Sequence, residues 1–118
     1  MNKFSEQYYV GIGASAGGLE AIESFFKYMP SDTGMIFIVI QHLSPDFKSL
    51  MNELLARYTD MDIKVAEDGM RTEPNTIYLI PPRNNLSIFH GKLILEEQSN
   101  RSQLHLPIDV FFKSLAID

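Results

Sequence analysis

Polar and apolar residues change period repeatedly along the 118-residue chain. Tyr8 to Ile12 is apolar on both faces, as a buried parallel strand is. A glycine-rich stretch follows, and then Leu19, Ile22, Phe26 and Met29 recur at helical spacing with Glu20, Glu23 and Lys27 between them. That pattern predicts an amphipathic helix ended by Pro30 and Gly34. Met35 to Ile40 is an unbroken run rich in branched residues and predicts a central strand. Ser44-Pro45-Asp46 has the form of a helix start, with Ser44 as N-cap, and Phe47, Leu50, Met51, Leu54, Leu55 and Tyr58 mark one apolar face. Ile63 to Val65 predicts a short third strand, and Thr76 to Ile80 another, stopped by Pro81-Pro82.

Leu86 to Phe89 and Lys92 to Leu95, joined at His90-Gly91, predict an antiparallel hairpin added to the parallel sheet. Glu96 to Gln103 is polar and reads as a loop. Pro107 then opens a last helix with Ile108, Phe111, Phe112 and Leu115 inward. The β-α-β-α-β order gives an α/β fold: a doubly wound, mainly parallel sheet with helices on both faces and a C-terminal hairpin.

Length changes the picture in one respect. Residues 1–118 suffice for one domain but are few for a complete doubly wound enzyme, so the chain reads as a single, truncated α/β domain. A net charge of −5, with no basic cluster, argues against a nucleic-acid partner. Cysteine is absent, which excludes disulfides and thiolate metal sites. No apolar run approaches the length of a membrane span, and the first residues lack the form of a secretory leader, so the expectation is a soluble cytoplasmic domain without membrane insertion.

The candidate chemistry gathers where the first strand meets the first helix. Gly13-Ala14-Ser15-Ala16-Gly17 spells G-x-S-x-G, the nucleophile-elbow pattern, whose small neighbours let the chain turn sharply and expose a serine hydroxyl. Gly11, Gly13 and Ala16 also spell G-x-G-x-x-A, a dinucleotide fingerprint. The fingerprint calls for an acidic residue at the end of the second strand, and this strand closes with Gln41-His42 instead. Neighbouring parallel strands lie about 4.8 Å apart, so Ser15 and His42, each just past a strand end, can meet as nucleophile and general base. The N–H of Ala16, at the positive end of the first helix, falls where an oxyanion would form. His90, in the hairpin turn, and His105, in the polar loop, read as solvated, Tyr8, Tyr9, Phe111 and Phe112 as packing residues. No metal and no cofactor is assigned, because no histidine and carboxylate set has ligand spacing.

Taken together, Val10 to Gly18, Val39-Ile40-Gln41-His42-Leu43-Ser44-Pro45, Ala66 to Gly69, Ile77 to Pro82 and Pro107 to Ala116 resemble the CheB-type protein-glutamate methylesterases of bacterial chemotaxis. The resemblance runs from Tyr8 to the end in the family's order. It implies a doubly wound esterase domain that hydrolyses glutamate methyl esters on chemoreceptors and, in some members, deamidates glutamine, with the nucleophile on Ser15 and the histidine on His42. The Pro-Pro and Ser-Leu-Ala segments are similar to those of members fused to a CheR-type methyltransferase and sensor domains. Two family features are missing from these residues: an aspartate within G-M-G-x-D-G, and a receiver domain ahead of the esterase. Asp46 is the nearest acid in sequence, but helix geometry points it elsewhere. Without the orienting acid the fragment is expected to be weak or inactive. The competing expectations are a non-catalytic regulatory or docking module of a larger signalling protein and a dinucleotide-binding domain.

Overall fold

Six strands and two helices make up the computed structural model, which describes residues 8–14, 19–41, 51–81, 84–97 and 115–116. In chain order they are β1 (Tyr9–Ala14), α1 (Leu19–Lys27), β2 (Ile36–Gln41), α2 (Met51–Leu55), β3 (Asp62–Val65), β4 (Thr76–Leu79), β5 (Asn84–Phe89) and β6 (Lys92–Glu97). Ser44-Pro45 and most of the last predicted helix fall outside the described residues. Leu115 and Ala116, within that predicted helix, are helical.

Four strands form a parallel sheet in the order β1-β2-β4-β3. The expected central run is internal to it, and Ile36, Phe37, Ile38, Val39 and Ile40 are all buried. A strand apolar at every position needs cover on both faces, and the molecule supplies two different kinds. On one face Ile22 and Phe26 of α1 and Leu55 of α2 pack against Phe37, Val39, Ile77 and Leu79. On the other, Leu86, Ile88 and Leu93 of the hairpin pack against Ile36, Ile38, Ile40 and Tyr78, with Ala66, Met70 and Leu115 alongside.

Handedness explains why the faces differ. From β1 to β2, and from β2 across to β3, the chain advances in one direction over the sheet, and α1 and α2 cover the same face. The step from β3 back to β4 runs the opposite way, so a right-handed crossover must pass over the other face. The connecting residues do this: Ala66 and Met70 lie in the hairpin-side cluster.

Local chemistry fixes the element ends. The Met29 N–H donates to the Phe26 carbonyl at 3.3 Å, closing α1 before Pro30. The hairpin turns at His90 (φ 49°) and Gly91 (φ 78°), and two successive positive φ values define the tight turn whose twist suits two strands.

Three expectations are refined. β1 runs through Gly13 and Ala14, so these residues are strand rather than turn; parallel pairing with β2 continues as far as Ala14↔Gln41 and overrides glycine's low strand propensity. Glu96 and Glu97 belong to β6 rather than to a loop, because they pair with Asn85 and Asn84. The hairpin forms a separate two-stranded sheet lying over a face of the parallel sheet. Its links to the rest include an Arg71↔Lys92 bridge and the bonds from Gly69 N–H to Leu93 O, Leu93 N–H to Met70 O and Thr72 N–H to Gly91 O.

Candidate active site

Parallel pairing brings the carboxyl ends of β1 and β2 together. The register runs Ile12↔Val39, Gly13↔Ile40 and Ala14↔Gln41, so both strands finish on the same rung. The next residues in sequence are Ser15 and His42. These two, with Ala16 and Asp46, fall outside the described residues, as does His105. The structure therefore supplies the scaffold that leads into the expected site: two strand ends in register, and α1 beginning four residues after Ser15 with its positive amino end toward the same edge. A nucleophile and a base entering from adjacent strands need that register, because a slip of one residue would turn one of them to the opposite face.

The same register weakens the dinucleotide reading. Gly11 and Gly13 sit within β1, opposite Ile38 and Ile40, not in a phosphate-cradling turn.

Elsewhere, Tyr78 and Lys64 are shifted by their surroundings. Burial pushes the Tyr78 hydroxyl up from its ordinary range, opposed in part by its hydrogen bond from the Glu73 backbone N–H at 2.8 Å. The Glu73 carboxylate, 2.9 Å from Lys64 Nζ, raises Lys64. His90 is exposed in the hairpin turn, its ring 3.9 Å from that of Phe89. Among the described residues no three histidine, aspartate or glutamate side chains converge on a common point.

One feature of this edge escaped the sequence reading. Ile80, read as the last residue of that strand, and Pro81, read as its stop, stand half-buried immediately after β4, which is hydrogen-bonded to β2. Only the strand order shows that β4, not β3, flanks β2.

The family model described as CheB methylesterase matches residues 10–118. The chain belongs to the CheB methylesterase family. Among CheB relatives, a protein-glutamate methylesterase/protein-glutamine glutaminase 3 from Pseudomonas aeruginosa is 31% identical over 113 residues, which is 95% of this chain and 34% of that protein. A protein-glutamate methylesterase/protein-glutamine glutaminase 2 from Shewanella sp. (strain MR-7) is 34% identical over 122 residues, 98% of this chain and 34% of that protein. The CheB-type chain thus spans about a third of the length of the curated relatives it matches. The CheB methylesterase catalytic domain of Thermotoga maritima shares the fold, with a TM-score of 0.77 at 24% identity, covering 95% of this chain and 61% of that one. Among the described residues no helix is long and apolar enough to cross a membrane.

Proposed function

We propose that this chain carries the nucleophile and general base of a cytoplasmic serine carboxyl-ester hydrolase that removes methyl groups from glutamate methyl esters on chemoreceptors and deamidates glutamine. Ser15 Oγ attacks the side-chain carbonyl while His42 takes its proton. The tetrahedral oxyanion forms against the Ala16 N–H at the amino end of α1. Collapse breaks the ester C–O bond and the imidazolium gives its proton to the departing methoxide as methanol; with glutamine the C–N bond breaks and the proton goes to the departing nitrogen as ammonia. A water, deprotonated by the same imidazole, then cleaves the acyl-serine and releases glutamate.

The observation that carries the reading is the terminal rung Ala14↔Gln41, which ends two neighbouring parallel strands immediately before the two reacting residues. Family membership supports it. An orienting aspartate fixes the histidine tautomer, and its loss costs about 10⁴ in turnover. The 118 residues contain no G-M-G-x-D-G segment. The chain by itself is therefore predicted to turn over little ester, while the whole protein, with adjacent methyltransferase and sensor domains as its neighbours, is active. A serine-directed phosphonate should label Ser15 in the whole protein, and Ser15→Ala should abolish the label. Absence of label on the wild-type serine overturns the proposal.

A further inference from the structure

The four connections that leave the carboxyl ends of the parallel strands do not all go the same way. Those after β1 and β2 lead to α1 and α2, whose Ile22, Phe26 and Leu55 pack on one face of the sheet. Those after β3 and β4 lead to Ala66, Met70 and the hairpin, which pack on the other face. β2 and β4 are direct neighbours, in register at Val39↔Leu79. The chain therefore diverges to opposite faces between these two strands. In open parallel sheets, divergence of this kind leaves a crevice at the carboxyl edge, and ligands bind there. Within the parallel sheet, β2–β4 is the one neighbouring pair of described strands at which the direction changes.

The described residues along this edge are apolar. Below it, Val39 and Leu79 are buried in the helix-side cluster and Ile40 in the hairpin-side cluster. On the β4 side stand Ile80, partly buried and packed against the hairpin-side cluster, and Pro81, also half-buried. Proline has no N–H to hydrate, so Pro81 keeps that rim free of a donor.

We infer that the ester-bearing side chain of the protein substrate enters along the crevice between β2 and β4, with Ile80 and Pro81 as its wall. This rests on the hydrolase reading above and deepens it by assigning specificity. An apolar wall tolerates the neutral methyl ester or amide, whereas the product carboxylate loses hydration there without gaining a partner. The wall thus distinguishes substrate from product and promotes release of the product.

The test uses the whole protein, a methylated polypeptide substrate and a small serine-directed phosphonate. Ile80→Ala and Pro81→Lys are predicted to raise KM for the polypeptide on the order of tenfold. The kcat and the rate of Ser15 labelling should stay within about twofold of wild type, the signature of lost binding with intact chemistry. Pro81→Lys should also tighten inhibition by the demethylated product. Unchanged KM in both variants overturns the inference, and so does a labelling rate that falls as KM rises, which would make the wall merely structural. Failure of the wild-type protein to label sinks the hydrolase reading itself and is told apart by that control.

Discussion

At the scale of single residues, much of the molecule's order rests on a few hydroxyls. Thr72 Oγ1 donates to the Gly91 carbonyl at 3.0 Å, so its own hydrogen is committed. The contact between Tyr9 OH and Thr72 Oγ1, at 2.9 Å, is then one in which tyrosine donates. Tyr9→Phe removes that donor and leaves the Thr72–Gly91 bond in place, and it should cost about 1 kcal/mol in urea unfolding. Tyr78 gives a second, pH-dependent prediction. Its side chain is fully buried, and burial raises its pKa above the ordinary value of 10.0. A group raised in the folded state stabilises the fold fully below its unfolded pKa and loses that contribution as pH climbs through the folded value. Unfolding midpoints should therefore decline above about pH 10. Tyr78→Phe should diminish that alkaline decline while lowering stability at pH 8 by about 1 kcal/mol through the lost Glu73 hydrogen bond. An identical alkaline profile in both proteins would remove Tyr78 as its cause.

At the scale of elements, the tight turns are the exacting positions. Gly91 has φ 78°, and a Cβ there would meet nothing closer than Tyr9 OH at 3.6 Å. The cost of Gly91→Ala is therefore conformational rather than steric, about 1 kcal/mol in thermal or urea unfolding. Asn75 also holds a positive φ of 57°, and its Oδ1 accepts the Gly34 N–H at 2.6 Å. The elements differ in how far the sequence revealed them. β2 was legible because five consecutive buried apolar residues admit few alternatives, and the hairpin because His90-Gly91 divides two strand-like runs. The extension of β1 through Gly13 and Ala14 was not, because that glycine-rich stretch reads locally as a turn and only pairing with β2 makes it strand. Glu96 and Glu97 were hidden similarly, since their place in β6 depends on partners a dozen residues away.

At the scale of the molecule, two apolar clusters lie on opposite faces of one sheet and share its central strands. Ile22 belongs to the helix-side cluster and Ile88 to the hairpin-side cluster. Ile22→Val and Ile88→Val should each cost about 1 kcal/mol. Having no common neighbours, the two should add within about 0.5 kcal/mol, and both should shift one cooperative transition. Two separate transitions would mean that the faces unfold independently. Ser15 and His42 are proposed from the elbow pattern and from strand ends, which are local signals, and both lie outside the described residues. The β2–β4 crevice could not be proposed that way, since strand order is a property of distant pairings that no short stretch of sequence encodes.

The hydroxyl chain from Tyr9 through Thr72 to Gly91 ties three distant parts of the polypeptide at the edge where the parallel strands begin. The backbone bond from Asn75 N–H to Met35 O fastens the same edge. The residues proposed to react follow the opposite ends of β1 and β2 in sequence. A protein clamped at its base in this way can have its upper loops reshaped for a new substrate without loosening the frame that carries them.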